Sequence, residues 1–179
     1  MPVISREPRE PPTLAEAKAL ALRWLAARPR TELQMRDKLA RRGCASEVAD
    51  AVVSWLFHLR YLDDAAYAQL RARNLTAPGR LGPRLAQRRL EATGISKEMA
   101  RAAVEAAISA GAGADDAAGA GPTDREAAER ALARAALERR TRGVPPTDDK
   151  ARARLARFLL GRGFSGEVVS SVLGVYVDG

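Results

Sequence analysis

The chain has 179 residues, of which 46% are hydrophobic, 29% charged and only 4% aromatic, the mix of a folded soluble protein with a core of Leu, Val and Ala. A formal net charge of +8 points to an anionic partner, nucleic acid first. The single Cys44 excludes an internal disulfide, the single His58 excludes Ser-His-Asp, Cys-His and multi-His metal sites, and no apolar stretch is long enough to span a membrane.

Residues 1–13 mix Arg, Glu and Pro without an apolar run, so they read as a disordered tail and not as a signal peptide. With the lone cysteine, this sets the expectation of a cytoplasmic protein. From Leu14 the apolar residues Ala17, Leu20, Ala21 and Leu25 recur at helical spacing until Arg28-Pro29-Arg30 breaks the helix. Thr31 is a candidate N-cap and Gly43 a C-terminal stop for a second helix with Leu33, Met35 and Leu39. Ser46 is the expected cap of a third, running through Val48, Val52, Val53, Leu56 and Leu59. Residues 14–62 thus form a first three-helix repeat.

The same grammar returns twice. Leu39, Gly43, Cys44, Ser46 and Glu47 are echoed by Leu90, Gly94, Ile95, Ser96 and Glu98, and again by Leu159, Gly163, Phe164, Ser165 and Glu167. A helix that ends on a glycine at positive φ turns without a Cβ clash. The apolar residue after it packs back on that helix, a Ser caps the next, and a Glu in the first turn opposes the helix dipole. Residues 63–110 and 123–179 are the second and third repeats. Residues 111–122, rich in Ala, Gly and Asp, read as a flexible linker between them. A short three-helix unit buries its faces poorly alone, and stacking neighbours completes the core. The class is all-α, with three tandem helix-turn-helix-like repeats in an elongated, curved array.

The sequence offers no catalytic constellation. Asp63-Asp64 stands before a helix, where capping accounts for both carboxylates better than metal binding, and Asp148-Asp149 reads the same way. Cys44 fills an apolar repeat position and His58 a structural one. Walker and dinucleotide loops are missing from the sequence. No enzyme activity, metal or cofactor is expected.

Basic residues, by contrast, recur in every repeat: nine against five acidic in 14–62, eight against five in 63–110, and eleven against eight in 123–179. Arg84 and Arg88 share one helix face, with Arg80 in the preceding turn. Lys150, Arg154 and Arg157 share another, away from Leu155, Phe158 and Leu159. These six are the candidate binding residues, as an extended surface tracking a phosphate backbone would require. Arg134 can instead pair with Glu138, four residues on. Tyr61, Tyr67 and Trp55 read as packing residues in preference to base-stacking platforms.

The segment Arg28 to Leu33 with Leu39 and Gly43 resembles the signature of the RecX family, and Arg60-Tyr61-Leu62-Asp63-Asp64-Ala65-Ala66-Tyr67-Ala68 is similar to its Gly-Tyr-Leu-Asp-Asp-x-x-Phe-Ala hallmark. Pro83-Arg84-Leu85 with Leu90, Gly94 and Ile95 resembles the next block, and Gly163 matches by architecture. Arg60 stands where the family has Gly, and Tyr67 where it has Phe. The resemblance implies a non-enzymatic regulator that lies on the RecA–single-stranded-DNA filament and inhibits RecA, affecting recombination and the SOS response. Its partners would be the RecA filament and, through it, single-stranded DNA, with no membrane and a monomeric chain. A direct DNA-binding regulator and a helical protein-binding scaffold are the alternatives.

Overall fold

The computed structural model describes residues 10–111, 122–146 and 148–174. All regular structure among them is helical: α1 (Leu14–Ala27), α2 (Glu32–Arg41), α3 (Ser46–His58), α4 (Asp64–Thr76), α5 (Pro83–Glu91), α6 (Lys97–Gly111), α7 (Pro122–Thr141), α8 (Asp149–Gly161) and α9 (Gly166–Leu173). Most of the expected tail, residues 1–9, and most of the expected linker, residues 112–121, lie outside the described residues. No helix among those described is long and apolar enough to cross a membrane.

The chain divides into two compact units, Met1–Tyr67 and Ala68–Gly179, so the division falls inside α4. In the first unit α1, α2 and α3 pack on one another. Thr13 and Glu16 form a reciprocal capping box that starts α1. The buried Thr31 caps α2 by accepting the Gln34 N–H at 3.3 Å. Ala17, Ala21, Met35, Leu39, Val52, Val53, Leu56 and Leu62 make the core. Each fully buried Leu, Met or Val contributes about 1.5–3 kcal/mol. Lys18 lies over the Trp55 ring at 4.7 Å and Lys38 over Trp24 at 4.6 Å, and both half-buried rings pack against this core, as expected for Trp55.

The three recurring glycines all adopt the left-handed conformation, with φ of +83° at Gly43, +92° at Gly94 and +88° at Gly163. The leucine four residues earlier is fully buried in every repeat. The capping residue follows each glycine by two positions. At Ser96 and Ser165 it accepts the Met99 and Val168 N–H at 3.2 and 3.3 Å. In the first repeat that place belongs to Ala45, which offers no side-chain cap, and Ser46 is already the first helical residue. The turn length, and not the serine, sets where the helix begins.

Three other sequence expectations are corrected. Leu33 is 45% exposed: the buried positions of α2 are Met35 and Leu39, and two residues along a helix turn Leu33 to the far side. Tyr61 is 57% exposed and lies on the surface, whereas Tyr67 is half-buried. Arg134 and Glu138 do not pair, although Glu126 and Arg130, about two turns earlier, do, at 2.6 Å.

In the second unit α5 packs on α6, α6 on α7, and α7, α8 and α9 on one another. The core of the last three helices is Ala133, Ala136, Ala156, Leu159, Phe164, Val168 and Val169. Asp148 caps α8 through the Ala151 N–H at 2.6 Å, and Asp149 pairs with Arg152 at 3.1 Å.

Candidate nucleic-acid interface

The α4–α5 turn is held from behind by the end of α8. Gly82, the N-cap of α5, donates its N–H to the Arg162 carbonyl at 2.9 Å, and Arg84 donates its own to the Gly163 carbonyl at 3.1 Å. The open donors of one helix start are thus met by the open acceptors of another helix end. The dipoles meet head to tail, which leaves the α5 N-terminus occupied by protein and unable to serve as an anion site.

Arg162 secures this junction. Its guanidinium stacks on Phe158 at 4.6 Å and donates to the Gly79 and Arg80 carbonyls at 3.0 and 2.6 Å. Arg139 adds a donor to the Pro78 carbonyl at 3.2 Å. Sequence reasoning missed both arginines, because their acceptors are backbone carbonyls 61 to 83 residues away and carry no residue signature.

The six candidate basic residues all lie in this unit and are all exposed. Arg80 is partly committed: its guanidinium donates to the Asn74 carbonyl at 3.1 Å, closing the end of α4. Arg84 and Arg88 stand on the outer face of α5, whose inner face buries Ala86 and Leu90. Lys150, Arg154 and Arg157 stand on the outer face of α8, opposite Ala156 and Leu159. No acidic side chain among the described residues pairs with these five. Arg125 and Arg130 are neutralised by Glu105 and Glu126. Since α5 begins where α8 ends, both basic faces sit on one hydrogen-bonded assembly.

Two of the family-motif residues, Asp63 and Asp64, make structural hydrogen bonds in the first unit. Asp63 caps α4 by accepting the Ala66 N–H at 2.8 Å. Asp64 turns the other way and accepts the Glu32 N–H at the start of α2, 3.0 Å away. Burial pushes the Asp64 carboxyl above its ordinary range, the Glu32 N–H opposes that rise, and the Glu32 and Asp63 carboxylates add to it. Arg36 pairs with Glu32 and Asp50, and these hydrogen bonds hold its guanidinium still more firmly charged. Burial, followed by the nearby Arg28, lowers Arg30, whose buried Nε has no hydrogen-bond partner. Among the described residues no three His, Cys, Asp or Glu side chains come together as a metal-binding group.

Comparison with known proteins extends the picture. The family model "RecX, first three-helix domain" matches residues 17–56, and "RecX, third three-helix domain" matches residues 128–173. Regulatory protein RecX of Acidithiobacillus ferrooxidans is 35% identical over 161 residues, covering 89% of this chain and 90% of the relative. The protein of the same name from Lactobacillus delbrueckii is 39% identical over 90 residues, and that match spans half of this chain but a third of the relative. The crystal structure of RecX from Lactobacillus salivarius superposes with a TM-score of 0.67 at 18% identity, over 90% of this chain and 94% of that one, a likeness of fold.

Proposed function

The chain belongs to the RecX family of regulatory proteins, and on that premise we propose that it binds the filament formed by the RecA recombinase on single-stranded DNA. Binding inhibits RecA's ATP hydrolysis, and with it recombination and the coprotease step of the SOS response. It acts in the cytoplasm as a monomer and without catalysis of its own. The observation that supports this reading is the pair of exposed basic faces, Arg84 and Arg88 on α5 with Lys150, Arg154 and Arg157 on α8, free of acidic partners among the described residues. Five cations on one assembly suit a polyanionic groove, and their attraction weakens steeply with salt.

The test is RecA's single-stranded-DNA-dependent ATP hydrolysis, measured while this protein is titrated below one copy per RecA. A strong fall at substoichiometric amounts supports filament binding or capping. No change, with no co-sedimentation on the filament, would sink the proposal and move the function toward direct DNA binding or scaffolding.

A further inference from the structure

The α3–α4 corner of the first unit carries a surface that the basic helices leave unexplained. Tyr61 is the most exposed aromatic side chain among the described residues, at 57%, and Phe57, four residues earlier in the last turn of α3, is 37% exposed. Both are held by a tight turn. The N–H groups of Tyr61 and Leu62 donate to the Leu56 carbonyl at 2.9 and 3.3 Å, and the Leu62 side chain beneath is 2% exposed. Two outward aromatic residues therefore stand on an anchored backbone, so little conformational freedom is lost when something settles on them.

Between them, Arg60 sits at φ +58°. Glycine takes that left-handed conformation freely, whereas a side chain with a Cβ is strained in it. The left-handed backbone closes the end of α3, the Arg60 N–H donating to the Phe57 carbonyl at 3.0 Å, but the exposed Arg60 side chain makes no hydrogen bond or ion pair with a described residue, so the turn itself does not call for an arginine. Strain of this kind gathers at places where the side chain serves something outside the fold. The carboxylates that could neutralise it are turned onto backbone donors, Asp63 onto Ala66 and Asp64 onto Glu32. What the corner offers to solvent is the Tyr61 and Phe57 rings with Leu59 beside them, and the Arg60 guanidinium, while the exposed Asp63 carboxylate is engaged by the Ala66 N–H.

We propose that this corner is a stacking platform for single-stranded nucleic acid. A base lies on the Tyr61 ring, Phe57 extends the apolar surface beside it, and Arg60 takes the neighbouring phosphate. A duplex, whose bases are already stacked on one another, offers no ring face to Tyr61. An apolar protein partner would use Phe57 and Tyr61 but gains nothing from an un-neutralised Arg60, and this favours the nucleic acid. The proposal requires no recombinase and is tested without one.

The experiment is fluorescence anisotropy of end-labelled oligothymidylate with the full chain, beside an abasic strand of equal length and a labelled duplex. The wild type is expected to bind oligothymidylate about tenfold more tightly than the abasic strand. Tyr61→Ala should lose that preference, and Tyr61→Phe should retain it. Arg60→Gly, which relaxes the backbone and so keeps the fold, should weaken binding to both strands and flatten the salt dependence. Equal binding of oligothymidylate by wild type and Tyr61→Ala would overturn the proposal, as would equal binding of the normal and abasic strands or no binding at all. If Tyr61→Ala impairs only association with the RecA filament, the corner is a protein contact, and the stacking proposal fails while the filament reading stands.

Discussion

Gly82 and Gly163 meet back to back across the α5–α8 junction: a Cβ on Gly82 would lie 2.6 Å from the Gly163 carbonyl carbon, and one on Gly163 would lie 2.5 Å from the Leu85 Cβ. Both obstacles include main chain, which cannot swing aside as a flexible side chain can. Gly82→Ala and Gly163→Ala are therefore each expected to cost about 2–4 kcal/mol, Gly163→Ala more because its φ of +88° adds strain. Gly161→Ala, in open space within α8, should be stabilising by about 0.5–1 kcal/mol. Urea denaturation of the three variants checks the contrast, and equal midpoints would refute the junction.

Arg60→Gly is expected to stabilise the chain by up to about 1 kcal/mol, since the left-handed strain disappears while the looser unfolded chain takes some of the gain back. A raised urea midpoint at unchanged slope is the readout. A fall would mean that the Arg60 side chain holds the corner together.

Asp64 should impose a pH dependence. Because burial raises its carboxyl in the folded state, the folded chain binds that proton more tightly than the unfolded one. Asp64's contribution is therefore greatest below its unfolded value and declines as pH rises through the folded one. Asp64→Asn keeps an acceptor for the Glu32 N–H and never ionises, so it should gain on the wild type as pH rises above the ordinary carboxylate range of about 4 and level off once the folded-state carboxyl has ionised. Asp64→Ala leaves that N–H without its acceptor and should cost about 1–2 kcal/mol. Chemical denaturation across this pH range decides it, and a constant difference between Asn and wild type would refute the titration.

Charge reversal separates binding arginines from structural ones. Arg84→Glu with Arg88→Glu, or Arg154→Glu with Arg157→Glu, should leave the melting temperature nearly unchanged, because these side chains hold no described acidic partner. Each pair should weaken filament binding and lower its salt slope by about one for every phosphate no longer neutralised. Arg162→Ala should do the reverse, costing about 2 kcal/mol of stability by removing two hydrogen bonds to carbonyls and the Phe158 stack. Undiminished binding in both pairs, with folding intact, would exclude both faces.

What could be read from the sequence was local. Gly43, Gly94 and Gly163 recur because each turn needs a positive φ, and a buried leucine four residues earlier follows from helical geometry. Thr31, Asp63 and Asp148 act within three residues of themselves, so residue type and spacing betray them. Ser46 misled because the first turn places Ala45, not the serine, at the cap. Tyr61 misled because an aromatic residue between Arg60 and Leu62 reads as core, and only the turn itself shows that Leu62 goes in and Tyr61 out. The basic faces were visible as spacing. The Arg162 clamp was not, since backbone carbonyls belong to every residue alike.

The joining of α5 to α8 also has a direction in time. A ribosome releases Gly79 and Arg80 well before Arg162, which lies 83 and 82 residues downstream of them. At about 5–20 residues per second, the middle helices wait roughly 4–16 s for the carbonyls that complete them. Through that interval the start of α5 has only water for its Gly82 and Arg84 donors. A nascent chain stalled before Arg162 therefore keeps an open helix end, and the second repeat is finished by the third.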